Sequence, residues 1–193
     1  MNSKHSRIIS LISRYISLEE TDIDLITQVF EPISVRKNTL LEDTEKIVQN
    51  LYFINNGFVR TYYMDNGEDK TTQINCPSGF ITCFESFNTR TKAFENVETV
   101  TDCELLQITK SNLENLRKKI KKWRVFEEKV FEQLLIFNEQ RNRDMIILTA
   151  KERYLKLIEN QIDIAKNIPL QYIASFIGIK PESLSRIRRN LVS

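Results

Sequence analysis

The sequence predicts an α+β chain in three parts. A helical start leads into a small β-sandwich or barrel, a long helix follows, and the end is all-α. Three observations predict this. Residues 33–108 carry short β-like runs broken by turn residues, residues 110–148 return to helical spacing, and residues 170–191 read LQYIASFIGIKPESLSRIRRNL. That last segment is laid out as two short helices at a steep angle, joined at a glycine.

Taken in order, residues 6–30 read as amphipathic helix. Ser17 and Glu20 are spaced as a capping box ahead of Ile23, Leu25, Ile26, Val29 and Phe30, and Pro32 ends the element. Strand-like runs then span Asn38 to Leu41, Ile47 to Ile54, Phe58 to Met64, Thr71 to Ile74, Phe80 to Phe84, Val97 to Val100 and Leu105 to Ile108. Asn55-Asn56-Gly57 and Asp65-Asn66-Gly67-Glu68 are spaced as hairpin turns, because Asn and Gly tolerate positive φ.

In the following helix Phe126, Val130, Leu134 and Phe137 line one side, widened by Phe131 and Leu135. A stripe this aromatic suits packing on the chain's own barrel and on a twin helix from a second subunit. The basic run Arg117 to Arg124 reads as a solvated helix entry. Thr149 and Glu152 form a further capping box, so a hinge is expected near Leu148-Thr149.

In the C-terminal segment, Ile173 and Ala174 lie inside the first helix and Gly178 sits at its turn. Ile179, Leu184 and Ile187 make the second helix apolar on one side, and Ile177 joins them. Lys180, Glu182, Ser183, Ser185, Arg186 and Arg189 remain outside, all able to bond phosphates or base edges. This is the pattern of a DNA-binding helix-turn-helix.

Composition excludes several alternatives. The chain of 193 residues is long enough to bury its own core. It has no run of about 18 apolar residues, and Met-Asn-Ser-Lys-His carries no hydrophobic signal core, which predicts a soluble cytoplasmic protein with no membrane association. Cys76, Cys83 and Cys103 have no CxxC spacing and read as buried free thiols. His5 is the only histidine, which argues against histidine-based metal centres, hydrolytic triads and cupin-like enzymes, so no catalytic or metal-binding residues are assigned. The net charge of +2 is unevenly placed: residues 141–193 hold ten Lys/Arg against five Asp/Glu, while residues 1–140 hold eighteen against twenty-one. The positive field therefore sits on the helix-turn-helix end.

This order of parts resembles the bacterial Crp/Fnr family of transcription regulators across nearly the whole chain. Leu51 to Arg60 (LYFINNGFVR), similar to the family's second hairpin, and Ile173 to Leu191 carry the resemblance most specifically. It implies a cyclic-nucleotide-binding-like β-roll of jelly-roll type with the N-terminal helix in residues 1–110. A dimerisation helix would occupy 111–148, with Phe126, Val130, Leu134 and Phe137 at its seam, and a helix-turn-helix domain 149–193, without a full wing. Glu182 and Arg186 fall where family members read bases, and Gln171, Lys180, Ser183, Ser185 and Arg189 where they meet phosphate. Pro181 replaces an earlier base-reading arginine.

Partners implied are double-stranded DNA, a second copy of the chain and RNA polymerase. In the roll, Glu85, Arg90 and Phe84 are the candidates for an effector pocket. The family's cyclic-phosphate arginine is missing, however: Ala93, Phe94 and Glu95 stand there, and a glutamate repels phosphate. No cofactor is expected, nor is dependence on cyclic AMP. Either another effector occupies the roll, as in a small-molecule sensor whose β-roll ligand controls DNA binding, or Phe84, Phe87 and Phe94 fill the pocket, which is the favoured expectation.

Overall fold

The computed structural model describes residues 3–192. A short 3-10 turn (Ser3–His5) precedes α1 (Ser6–Ser13) and α2 (Glu20–Val29). The strands are β1 (Glu31–Val35), β2 (Leu40–Glu42), β3 (Asn50–Asn56), β4 (Val59–Asp65), β5 (Glu68–Asn75) and β6 (Phe80–Ile81). Then come α3 (Phe84–Thr89), β7 (Asn96–Thr99), β8 (Cys103–Thr109), α4 (Lys110–Lys119) and α5 (Trp123–Ile147). The end is α6 (Ala150–Asn160), α7 (Ile162–Asn167), α8 (Leu170–Phe176) and α9 (Pro181–Val192).

The strands form two antiparallel sheets of order β1-β8-β3-β6 and β2-β7-β4-β5. They make an open sandwich whose core includes Phe53, Val59, Val97, Leu105 and Leu106, and the central strands β3 and β8 bury consecutive residues rather than strictly alternate ones. Pro32 lies in β1, an edge strand, where its missing N–H leaves no gap in a central ladder. Asp65 pairs with Glu68 across Asn66 and Gly67, both at positive φ, as a two-residue hairpin requires.

Asn55-Asn56-Gly57 behaves otherwise than expected. β3 and β4 belong to different sheets, so this turn carries the chain around a corner between sheets. Gly57 is at φ +90, and a Cβ there would lie 2.5 Å from the Asp102 carbonyl oxygen. The same left-handed chemistry serves a corner as well as a hairpin.

Residues 6–30 form two helices, and the second is capped by Glu19 with Asp22 rather than by Ser17 with Glu20. Ser17 instead accepts a hydrogen bond from Lys122 Nζ. The helical stretch after β8 is likewise two helices, because the chain turns extended at Ile120. Leu113, Leu116, Ile120, Trp123 and Phe126 dock both onto the sandwich core together with α1 and α2. Residues 80–84 were expected as strand, yet pairing ends at Ile81 and α3 begins at Phe84.

A second core lies between the sandwich and the C-terminal helices. Phe58, Ile74 and Val100 from the strands meet Tyr154, Ile164, Ile168, Ile173, Phe176, Ile177 and Leu184 there. Edge strand β5 lies directly against α8. Among the described residues, no helix is long and apolar enough to cross a membrane.

Candidate nucleic-acid interface

The turn between α8 and α9 closes as a Schellman motif. Ile179 N–H donates to the Ala174 carbonyl at 2.9 Å, and Gly178 N–H to that of Ser175 at 3.0 Å. Gly178 holds φ +73 to allow it. Pro181 opens α9 at the first helical position, where a missing N–H costs nothing, and Lys180 accepts from Ser183 and Leu184 N–H. Leu184 is fully buried and Ile187 half-buried, which seats α9 on α8 with its other side outward.

With about 100° per residue, Glu182, Ser185, Arg186 and Arg189 share the side opposite Leu184. Ser183 and Arg188 flank them, and all six are exposed. Lys180 and Gln171 are exposed on the same helix pair. Among the described residues, neither Glu182 nor Arg186 has an ion-pair partner, so both groups are available to a ligand.

The helix pair is fastened to the sandwich by one buried cation. Arg60 on β4 bonds Glu98 through Nε at 2.9 Å, Asp69 through Nη2 at 2.8 Å and the Thr71 hydroxyl through Nη1 at 3.1 Å. Its guanidinium lies 3.5 Å from the ring centre of Tyr172 on α8 and 4.2 Å from that of Tyr62. Burial alone would lower its pKa; the hydrogen bonds with Asp69 and Glu98 outweigh that and raise it. Beside it, Thr71 N–H donates to Ser175 Oγ at 2.8 Å, so a helix side chain satisfies an edge-strand donor. Neither Arg60 nor Tyr172 was singled out for a site role from sequence; a charge inside an otherwise apolar strand was the available signal.

The sensor-side candidates do not come together. Arg90, left-handed at the end of α3, donates to the Val48 carbonyl and Gln49 Oε1, both at 2.7 Å, and so closes a loop. Glu85 is exposed. Phe87 is buried, but Phe84 is 53% and Phe94 70% exposed, which overturns the expectation that all three fill the roll. Phe84 packs edge-on to Phe131 of α5 and Phe94 lies near Tyr63. The short sequence FESF turns helical, and of its two rings only Phe87 faces the core.

The seam expectation also needs correction. Phe126 is 2% exposed and packs on Trp123, Phe80 and Tyr15 inside its own subunit. Val130 leans on the same core. Val125 apart, the exposed apolar surface of α5 gathers beyond it, at Phe131, Leu134, Leu135, Ile136 and Phe137, and again at Met145, Ile146 and Ile147, with Ile146 84% exposed.

Comparison with known proteins agrees with this architecture. Residues 32–119 match the family described as cyclic nucleotide-binding domain. No curated protein matches the sequence. Among solved structures, the c-di-GMP-responsive global regulator CLP of Xanthomonas campestris is 15% identical at a TM-score of 0.68, covering 90% of this chain and 92% of that one. A chain described as a transcriptional regulator of the Crp/Fnr family from Eubacterium rectale is 16% identical at 0.69, with 91% and 84% covered. FixK2 from Bradyrhizobium japonicum is 16% identical at 0.65, with 85% of each chain covered. Residues 32–119 thus match the cyclic nucleotide-binding domain family, and the chain around them has the fold of the Crp/Fnr regulators.

Proposed function

We propose that this chain is a homodimeric, sequence-specific DNA-binding transcription regulator of the Crp/Fnr type, acting on an inverted-repeat operator without cyclic AMP. The observation that carries the reading is α9, seated by Leu184 and presenting Glu182, Arg186 and their basic neighbours outward. In this reading Arg186 forks onto guanine O6 and N7, and Glu182 accepts from a cytosine amine. Gln171, Lys180, Ser183, Ser185 and Arg189 set the register on phosphates. Leu134 and Phe137, with the apolar surface beyond them, would meet a twin α5 and fix the separation of two reading heads. Residues 149–193 act as the head, hinged near Thr149, and residues 1–110 as the sensor.

Independence from cyclic AMP is supported by Arg90, whose guanidinium is spent on Val48 and Gln49 and leaves a buried phosphate without that cation. A second reading, in which an effector in the roll governs DNA binding, draws support from the Arg60–Tyr172 contact that ties sheet to head. The Xanthomonas regulator of similar fold is itself described as c-di-GMP responsive. The chain is read as non-catalytic and cytoplasmic.

Selection of the full chain against random duplexes tests the main reading. An enriched inverted repeat with half-sites about one helical turn apart, ~34 Å, is expected. Enrichment of no motif would overturn it.

A further inference from the structure

A cleft of ≈ 420 Å³ opens between the second half of α5, α6 and the end of α8. That volume lies in the range that holds small organic ligands. Its walls combine the Phe137 and Phe176 rings with Arg141, Arg143, Arg153 and Lys156. Asp144 is the one carboxylate lining it, and Lys156 already holds that group at 2.6 Å. Three guanidinium charges therefore face the cleft without a counter-charge of their own.

Two of them have unusual partners. Arg141 donates through Nη2 to the Phe176 carbonyl at a long 3.2 Å, with its guanidinium carbon 4.4 Å from the Phe176 ring centre. Arg153 donates to the Ile177 carbonyl at 2.9 Å and the Leu148 carbonyl at 2.7 Å. Among the described residues neither makes an ion pair. A guanidinium carries five N–H donors, so Arg141 in particular keeps most of its capacity unspent. Burial pushes its pKa down, and the Glu95 charge, which makes no ion pair with it, offsets only part of that.

We propose that this cleft binds a small organic anion, its carboxylate or phosphate gripped by Arg141 and Arg153 and its apolar body laid against the Phe176 ring. Bidentate capture of a planar or tetrahedral oxyanion is what paired guanidinium groups do best. The site is built to act on the reading head. The carbonyls that Arg141 and Arg153 now hold, those of Phe176 and Ile177, immediately precede Gly178, the bend that aims α9. An anion that draws either guanidinium away loosens the end of α8 and re-aims the helix beyond it. The binding stands by itself; its effect on DNA rests on the function proposed above.

Saturation-transfer NMR on the full chain, with phenyl phosphate and benzoate as probes and benzyl alcohol as the uncharged control, tests the binding. One or both anions should show saturable transfer and the alcohol none. Response to phenyl phosphate alone assigns a phosphate ligand, and response to benzoate alone a carboxylate. Arg141→Gln should weaken the responding anion at least about fivefold. Because Arg141 also braces Phe176, Arg143→Glu is the second variant: it reverses a charge at the cleft on an exposed side chain and should weaken the anion by a similar factor. No transfer from either anion, or transfer unchanged in Arg143→Glu, would overturn the site. The coupling is measured separately, as the affinity for a selected duplex at constant ionic strength with and without the responding anion. A shift in wild type that disappears in Arg143→Glu is expected; anion binding with no shift in DNA affinity would overturn the coupling while leaving the DNA reading intact.

Discussion

Arg60 of the sandwich lies over the ring of Tyr172 on α8, 3.5 Å from its centre, while its own charge is held by Asp69 and Glu98. A single side chain thus satisfies two carboxylates on the sheet and grips an aromatic ring on the head. Arg60→Met keeps the length and removes the charge, leaving Glu98 and Asp69 unpaired. A loss of about 3 kcal/mol in denaturant unfolding is expected. Tyr172→Leu removes only the ring and should cost about 1 kcal/mol. Hydrogen exchange at α8 should accelerate in both variants. Equal protection of α8 in Arg60→Met and wild type would show that the head is held by the apolar contacts alone.

The two structural glycines should respond differently to alanine. At Gly178 the new methyl meets Met145 Cε at 2.5 Å, the far end of a flexible side chain, so the cost is mainly that of φ +73. About 1 to 2 kcal/mol is expected, together with weakened DNA binding. At Gly57 the methyl meets the Asp102 backbone oxygen at the same 2.5 Å, and backbone cannot step aside. About 3 kcal/mol is expected there. Thermal unfolding of both variants checks the order.

The second half of α5 should separate association from folding. Leu134→Glu with Ile146→Glu places charge on exposed apolar positions and should yield a folded monomer by sedimentation equilibrium. Phe126→Ala should do the reverse, keeping the association interface while costing about 3 to 5 kcal/mol through a cavity in the subunit core. A double glutamate variant that sediments like wild type would place the seam elsewhere.

How much was legible in the sequence follows from how local each signal is. The bend at Gly178, the outward residues of α9 and the Asp65–Glu68 hairpin depend on residues a few positions apart, and their spacing was enough. The facing of Phe126 was not legible, because a stripe of helical period looks the same whether its cover is the same chain or a copy. Asn55-Asn56-Gly57 misled for a like reason: positive φ marks a sharp turn without saying whether the next strand pairs with the last. The Arg60–Tyr172 contact and the cleft around Arg141 join segments far apart in sequence, and no spacing rule reaches them.

The cysteines supply a pH dependence with a definite sign. Burial raises the Cys83 thiol from 9.0 to about 12 and Cys76 from 9.0 to about 11, in each case with help from nearby carboxylates. Desolvation raises Cys103 as well. These groups are neutral in the fold, and the unfolded chain ionises them first. Their contribution to stability is therefore fully present below pH 9 and is lost as pH rises through about 11 to 12. Unfolding free energy should be flat on this account from pH 7 to 9 and fall above it, and Cys83→Ala should blunt the fall. Iodoacetamide should label Cys83 slowly at neutral pH until denaturant is added.

The most direct test is a fluorescence anisotropy titration of Arg186→Ala and wild type against a selected duplex and a scrambled one at fixed salt. If α9 reads bases through the Arg186 fork, the variant loses about tenfold or more in preference for the selected duplex. Its affinity for the scrambled duplex should change far less. A variant that prefers the selected duplex as strongly as wild type would contradict the assignment.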